Sequence, residues 1–459
     1  MLRSHLQRLF NPPRSYERLG EEDREQDEIE ACVTPEAPAS APFSWLEYGI
    51  FLWLGVSMLW AWNMFFAAAP YFQRRFDSDP WVRKNFQSSI ISVSCITNLS
   101  SVFVLAKLQK NACYPRRIKT SILLNIIVFT LLALSTVLFR NVAIRIYFAF
   151  VLLMVFAASL VTGTNQNGVF AYVAGFGRDE YTQGIMIGQG VAGVLPCIVQ
   201  MLAVLVIPDA TETVNQETAE YQSAKSAFAY FTTATGVSAI AFFAFLYLNR
   251  MQRSRRIVLK HTNIPALVSD EDEAPVKKSI PLYVLFRKLH WTASAIFICF
   301  AVTMAFPVFT AEIHSVRESE NTVPPPIFRA AAFIPLAFLF WNLGDLLGRM
   351  FAGIPALKKL THRPFLLFMA SVARILFIPL YLMCNVRGEG AKIKSDFFYL
   401  FIVQLLFGIT NGYLCSVCMM GASDWVEEDE REASGAFMGL MLVAGLTSGS
   451  LLSFFIGKV

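Results

Sequence analysis

Charged residues are scarce in this chain of 459 residues. Asp, Glu, Lys and Arg make up 16% of the sequence and hydrophobic residues make up 55%, whereas a typical soluble domain holds about 25% charged and about 45–50% apolar residues. So small a charged fraction argues against an ordinary soluble enzyme of one or two domains. The mean hydropathy of +0.48 indicates an integral membrane protein instead.

Sequence motifs of several enzyme and pump classes are also missing. The chain contains no H-E-x-x-H, G-x-S-x-G or Walker motif, which are the patterns of zinc proteases, serine hydrolases and ATP-driven pumps. Segment 342–345 (N-L-G-D) superficially resembles part of an intramembrane aspartyl protease. That chemistry needs two carboxylates that share a site, and no second Asp lies inside a predicted span. The sequence therefore predicts neither an enzyme nor a bound cofactor or metal.

Long apolar segments recur at the length that a bilayer-spanning helix requires. About 20 mainly apolar residues cross the hydrocarbon core, which predicts an all-α, multi-pass membrane protein with eleven transmembrane helices. The predicted spans are 46–69, 86–106, 118–139, 145–174, 182–207, 226–248, 289–311, 328–353, 364–384, 397–421 and 434–457. A long polar segment divides them six plus five, which suggests two helical bundles.

Polar segments set the expected domain boundaries. Residues 1–43 are rich in Glu, Arg and Pro and are predicted to be a disordered cytosolic tail. Residues 251–287 are predicted to be a cytosolic linker between a six-helix bundle, residues 44–250, and a five-helix bundle, residues 288–459. Lys and Arg are more numerous in the loops on the N-terminal side than in the other loops. This asymmetry favours a cytosolic N-terminus.

Three charged side chains stand out because they lie well inside predicted spans, where each costs about 2.5–3.5 kcal/mol on insertion scales. Asp345 and Arg349 are four residues apart, so they share one helix face, and Asn342 lies on that face too. The pair either neutralises itself and locks helices together, or it faces a water-filled cavity and binds a polar solute such as a sugar. For Arg374, near the middle of the ninth span, a gate or an interhelical tie is the favoured interpretation.

Two more polar segments interrupt apolar spans. Asn63 stands among aromatic residues at the end of the first span, where Trp62 and Phe66 could stack on a planar ligand. An aromatic belt at the membrane interface is the alternative interpretation. In the fourth span, three consecutive amides at 165–167 cannot all face lipid and are expected to line a cavity. An amide offers a donor and an acceptor, as recognition of a nucleobase edge requires.

Several of these segments are parts of one ordered pattern. The segments are Trp62-Asn63, G-Q-G-x-x-G at 188–193, N-x-x-D-x-x-G-R at 342–349, Arg374 with Pro379, Cys384 and Asn385, G-I-T-N-G-Y-L at 408–414, and E-A-S-G-A-F at 432–437. In this order and on these predicted helices, they resemble the equilibrative nucleoside transporter family. The family pattern has a proline where this chain has Ala61.

The resemblance implies a major-facilitator-like fold that works by alternating access. It implies nucleosides as substrates and, in some members, nucleobases. Gln166 would contact the base, whereas Asp345 and Arg349 would contact the ribose. The implied substrate-binding residues are Trp62, Phe66, Gln166, Phe306, Asn342, Asp345 and Arg349. The residues assigned to structure or gating are Asn63, Arg374, Asn411 and Gly412.

Facilitative transport of purine and pyrimidine nucleosides across a lipid bilayer is therefore the leading prediction. We expect a monomer that binds no nucleic acid. The alternatives are a proton-coupled nucleoside transporter and a major-facilitator-type carrier of another polar solute such as a sugar. Arg349 lies one turn from Asp345 and compensates its charge, which favours uniport. Residues 16–19 (Y-E-R-L) resemble an endomembrane sorting signal, so a vacuolar or other endomembrane location stands beside the plasma membrane.

Overall fold

Eleven helices in the described part of the chain are long and apolar enough to cross a membrane, as this computed structural model shows. The structure describes residues 43–109, 112–206, 216–262, 279–318 and 325–456. The helices are α1 (Trp45–Arg75), α2 (Pro80–Lys107), α3 (Tyr114–Leu138), α4 (Ile144–Ala174), α5 (Asp179–Leu202), α6 (Tyr221–Arg255), α7 (Leu282–Glu312), α8 (Ala330–Phe351), α9 (Pro364–Tyr381), α10 (Phe398–Trp425) and α11 (Glu428–Ser453). The prediction of eleven spans is confirmed.

The helices pack into two groups that meet along a few long contacts. In the first group, α1 packs on α5 and α6, α3 packs on α4 and α6, and α2 packs on α4. In the second group, α7 packs on α9 and α11, and α8 packs on α10. Helix α5 contacts α8 across the two groups, and α11 contacts both α4 and α2. The α5–α8 contact places the charged residues of α8 beside α5.

Glycines permit the closest helix crossings. A Cβ added at Gly188 in α5 would overlap with the backbone of Leu52 in α1, and one added at Gly348 in α8 would overlap with the backbone of Ile409 in α10. Each pair of helices begins on the same side of the molecule, so the chains run parallel through the crossing. Side chains near such a crossing lie within hydrogen-bond reach of the neighbouring helix.

Several spans contain a break in the helix. α1 is interrupted at Ala68 and α7 at Met304. Pro70 and Pro307 lie just after these breaks, and a proline removes the amide that would bond to the carbonyl four residues earlier. α9 contains a 3₁₀ turn that begins at Arg374. These breaks re-aim Arg374 and the segment around Phe306 relative to a straight helix.

Helix α6 extends beyond its membrane-spanning part, Tyr221–Arg255, at both ends. The regular helix is Gln216–Thr262, so it continues into the segment that the sequence predicts as a linker. Near its end, Arg255 donates to Glu47 at the start of α1 over 2.6 Å, and Gln252 donates to the same carboxylate over 2.8 Å. These bonds fix the end of α6 against α1. Residues 1–42 of the predicted tail, which was expected to span 1–43, lie outside the described residues.

Candidate functional site

Asp345 and Arg349 form a buried ion pair within α8. The Nε of Arg349 donates to Oδ2 of Asp345 over 2.7 Å. Both residues are 4% exposed, so the pair lies inside the protein rather than against lipid. A buried pair is stable only when further hydrogen bonds satisfy the remaining polar atoms of both groups.

Two neighbouring helices supply those further bonds. Asn411 of α10 donates its Nδ2 to the other carboxylate oxygen of Asp345 over 2.7 Å. Arg349 donates its Nη1 to the carbonyl oxygen of Met186 over 2.8 Å and to Oε1 of Gln189 over 3.1 Å, both in α5. The pair therefore links α8 to α10 within its own helix group and to α5 in the other group.

Arg374 extends this arrangement towards α7. Its guanidinium donates to the carbonyl oxygen of Cys299 over 2.6 Å and to the hydroxyl of Thr303 over 3.0 Å. Thr303 in turn donates to Oδ1 of Asn411 over 2.6 Å. The guanidinium also lies 4.5 Å from the centroid of the Phe407 ring, a cation–π distance. Arg374 is thus connected to Asp345 through two neutral side chains.

These residues form one continuous polar chain through the membrane domain. The polar chain comprises Gln189, Arg349, Asp345, Asn411, Thr303 and Arg374. It contains two guanidinium groups and one carboxylate, so its buried charges do not cancel. Arginine does not deprotonate in proteins, and the excess positive charge rests on carbonyl, hydroxyl and ring acceptors.

Asn342 of α8 and Phe306 of α7 are not members of the polar chain. Asn342 is half-buried and donates to the carbonyl oxygen of Phe338 over 2.9 Å and to the sulfur of Cys197 in α5 over 3.4 Å. The ring of Phe306 stacks on Trp341 with centroids 4.2 Å apart and planes 13° apart. The buried Nε1 of Trp341 has no hydrogen-bond partner among the described residues.

The aromatic residues of α1 are placed in two different ways. Trp62 is half-buried and donates its Nε1 to the hydroxyl of Thr162 in α4 over 3.1 Å. The ring of Phe66 lies 5.9 Å from that of Trp62 and is 56% exposed. Asn63 donates its Nδ2 to the carbonyl oxygen of Ala192 over 2.7 Å, which ties α1 to α5. Trp62 is therefore held by a bond to a neighbouring helix.

The three consecutive amides of α4 have different partners. Asn165 accepts from Ser121 over 3.3 Å, and Asn167 accepts from Arg117 over 2.7 Å. Gln166 is 5% exposed, and its Oε1 has no donor among the described residues. A buried carbonyl oxygen without a donor is costly. Of the three amides, Gln166 is the one whose oxygen a ligand could satisfy.

The structure brings some predicted residues together and adds others. Asp345, Arg349, Asn411 and Arg374 are all members of the polar chain. Gln166 and Trp62 lie on α4 and α1, so they are not members. Sequence reasoning missed Thr303 and the role of Gln189. The G-Q-G segment was a signal for Gln189, since a lone amide between two glycines of a span needs a polar partner, whereas nothing in its sequence neighbourhood distinguishes Thr303.

The two helix groups also touch at the end of the molecule where α1 begins. Asp179, at the start of α5, forms an ion pair of 2.9 Å with Lys358 in the connection between α8 and α9. One turn further, Gln183 donates to the carbonyl oxygens of Arg349 and Met350 over 3.4 Å. We refer to these contacts as the closing layer. They cover the polar chain from this end.

A family model and similar proteins of known name all point to nucleoside transporters. A family model described as "Nucleoside transporter" matches residues 151–458. The chain is 30% identical over 444 residues to Nucleoside transporter FUN26 of Saccharomyces cerevisiae, covering 89% of this chain and 83% of the yeast protein. It is 27% identical over 463 residues to Equilibrative nucleoside transporter 1 of Mus musculus, covering 88% and 95% respectively.

A solved structure shows the same fold. The crystal structure of a bacterial homologue of the iron transporter ferroportin, in an outward-facing state with soaked iron, aligns with a TM-score of 0.53. The alignment covers 91% of this chain and 92% of that chain at 13% identity. At so low an identity the likeness concerns the fold alone, and it confirms the prediction of an all-α fold of membrane-spanning helices.

Proposed function

Because this chain belongs to the nucleoside transporter family, we propose that it moves nucleosides across a membrane by facilitated diffusion. The observation that supports this best is the polar chain, in which Asp345 and Arg349 are buried together at the contact between two helix groups. A carboxylate accepts from the hydroxyls of a ribose and a guanidinium donates to them. The curated relatives are named for nucleosides, which extends the proposal to the substrate.

We propose that Gln166 recognises the base. Its Oε1 is buried without a donor, and a base that supplies an N–H would satisfy it. Trp62 and Phe66 of α1, with Phe306 of α7, would form the apolar walls beside the base. Asn342 would complete the ribose contacts from α8. Asn63, Arg374, Asn411 and Gly412 would position the helices that carry these side chains.

The packing of the helices supports alternating access between two bundles, with boundaries at residues 44–250 and 288–459. Contacts of α5 with α8 and of α4 with α11 join the two groups, and the closing layer adds an ion pair at one end. For a substrate to pass, the contacts at this end must break while others form. We therefore propose that the structure represents the state that is closed at this end.

The ion pair of the closing layer is expected to favour the state that is closed at this end over the open state. Replacing Lys358 with Gln removes the partner of Asp179, and a partly exposed ion pair is worth about 1 kcal/mol or less. We expect the closed end to open more often, by a factor of up to about five. In a Gln183→Cys background, the rate of labelling by a bulky thiol reagent should rise accordingly. Lys359→Gln, at the neighbouring exposed lysine, should leave the rate unchanged; equal rates in both variants would refute the assignment.

Uniport is favoured over proton coupling by the bonds of Asp345. Both carboxylate oxygens accept charge-assisted or amide hydrogen bonds, from Arg349 and Asn411. Protonation would replace one acceptor by a donor and would leave the Arg349 guanidinium without its counter-charge, which is costly in a buried site. An imposed pH gradient is therefore not expected to drive uptake in the absence of a nucleoside gradient.

A carrier of another polar solute is the second candidate, because the Asp345–Arg349 pair could bind any sugar. Competition separates the two. In proteoliposomes that contain the purified chain, labelled uridine and adenosine are expected to enter until the inside and outside concentrations are equal. Unlabelled nucleosides should block this uptake, and glucose at the same concentration should not. Inhibition by glucose alone would favour the sugar carrier.

We further propose that the N-terminus is cytosolic, that the chain acts as a monomer and that it resides in an endomembrane. The excess of Lys and Arg in loops on the N-terminal side supports the orientation. The Y-E-R-L segment at 16–19 supports the location and lies outside the described residues. Tagged Tyr16→Ala tests the location, since an unchanged distribution would remove this support.

A further inference from the structure

A large open cleft lies at the end of the molecule opposite the closing layer. Its volume is about 890 Å³, which is within the range of about 300–1,000 Å³ for small-molecule sites. The ends of α1 and α3 and the beginnings of α2 and α6 surround it. The lining residues used below are Arg74, Arg75, Arg83, Arg140, Asp77 and Tyr221. All four helices belong to the first helix group, so the cleft is separate from the polar chain.

Among the described residues, the lining of the cleft has an excess of positive charge. Four of these lining residues are arginines and one, Asp77, is a carboxylate. Asp77 accepts from Arg83 over 2.9 Å, but both side chains are more than 60% exposed, and so exposed a pair contributes little. The nearby Asp79 does not line the cleft and is bonded to Arg145 over 2.9 Å. The electrostatic potential inside the cleft therefore attracts anions.

Two of the arginines are held in place by the protein. Arg75 donates to the carbonyl oxygens of Phe139 and Val142, over 3.3 and 2.6 Å, at the α3–α4 turn. The guanidinium of Arg140 lies 5.3 Å from the centroid of the Tyr221 ring. Planar guanidinium groups match the oxygens of a phosphate in pairs of parallel hydrogen bonds. Tyr221 is 55% exposed and offers an apolar face beside them.

We propose that this cleft binds a phosphate ester, with the phosphate among the arginines and the organic group against Tyr221. The ester could be a soluble metabolite or a phospholipid headgroup. The proposed cytosolic N-terminus places the cleft on the non-cytosolic face, whereas anionic lipids are concentrated in the cytosolic leaflet. A soluble phosphate ester is therefore the favoured source. This site goes beyond the transport function and does not depend on it.

Phenyl phosphate is a suitable probe because it combines a phosphate with one ring. Calorimetry on the purified, phospholipid-free chain in detergent is expected to show saturable binding that weakens as salt is added. Arg140→Gln and Arg83→Gln should each weaken binding at least tenfold. Lys84→Gln removes an exposed cation that does not line the cleft and should leave the affinity unchanged. Unchanged melting temperatures without ligand would show that the variants are folded.

Two other results would overturn the phosphate site, and a third would identify its ligand as a lipid. Absence of saturable binding to both phenyl phosphate and nanodiscs of phosphatidylglycerol would overturn the proposal. Equal weakening by Lys84→Gln and the arginine variants would also overturn it, because binding would then follow net charge alone. Stabilisation by phosphatidylglycerol only, lost in Arg140→Gln, would support the phosphate site and identify a lipid as its ligand. None of these measurements uses nucleoside uptake, so they stand apart from the transport assay.

Discussion

Nucleoside uptake by the Asp345→Asn variant is expected to fall to the level of empty vesicles. The substitution keeps the size of the side chain but removes the charge that holds Arg349 and accepts from Asn411. Removal of one partner from a buried pair costs about 3–5 kcal/mol, and the ribose would lose its carboxylate acceptor. The measurement is the initial rate of uridine uptake in proteoliposomes of known protein content. Asp429→Asn, at an exposed carboxylate in the first turn of α11, is the matched control.

A double variant separates ligand binding from a purely structural role of this pair. Asp345→Asn with Arg349→Gln removes both charges of the pair, so no guanidinium at position 349 is left without its carboxylate, while Arg374 keeps its carbonyl and hydroxyl acceptors. Most of the thermal stability lost in Asp345→Asn should therefore recover. If the pair binds ribose, uptake stays at background although the protein is stable. Recovery of both stability and uptake would show that the pair only locks α8 to its neighbours.

The i, i+4 spacing of Asp345 and Arg349 sufficed to predict that they share a helix face. Their partners on other helices could not be predicted from spacing. Asn411 is 66 residues from Asp345, and Met186 is 163 residues from Arg349. Each of the eleven helices could pack against several others, and hydropathy does not say which. The close crossings at glycines decide which helix lies within hydrogen-bond reach of α8. Asn411 entered the prediction through the family resemblance alone.

The ends of the spans were less predictable than their number. The first predicted span stops at 69, before Pro70, but α1 continues to Arg75. A proline is tolerated in the first turn of a new helical segment, and the chain restarts after the break at Ala68. At the other extreme, α6 continues to Thr262 through charged residues. Hydropathy detects the part of a helix that is apolar and cannot detect a polar continuation.

Gln166 shows what a sequence cannot distinguish within a polar segment. Asn165, Gln166 and Asn167 are chemically alike, and the sequence predicts only that the stretch lines a cavity. The structure separates them because Ser121 and Arg117 of α3 donate to the two asparagines and not to Gln166. The distinction depends on how α3 packs against α4.

Gly412→Ala is expected to destabilise the protein and to abolish most uptake. Gly236→Ala is expected to change neither in this direction. An added Cβ at Gly412 would overlap with the carbonyl oxygen of Asp345 and lie 3.0 Å from the amide nitrogen of Arg349. Backbone atoms cannot rotate away, so α10 must move from α8. Overpacking of this kind costs about 1–3 kcal/mol, and the movement would lengthen the bond between Asn411 and Asp345.

Gly236 in α6 is the matched control because a Cβ there would meet no atom within 4 Å. Alanine at such a helix position is favoured by up to about 1 kcal/mol over glycine, so its melting temperature should be equal or higher. Melting curves and uridine uptake measured in parallel test both expectations. Wild-type stability together with wild-type uptake in Gly412→Ala would contradict the close α8–α10 crossing, and with it the geometry that holds Asp345 at the centre of the polar chain. A lower melting temperature with normal uptake would instead show that the crossing supports the fold without setting the geometry for transport.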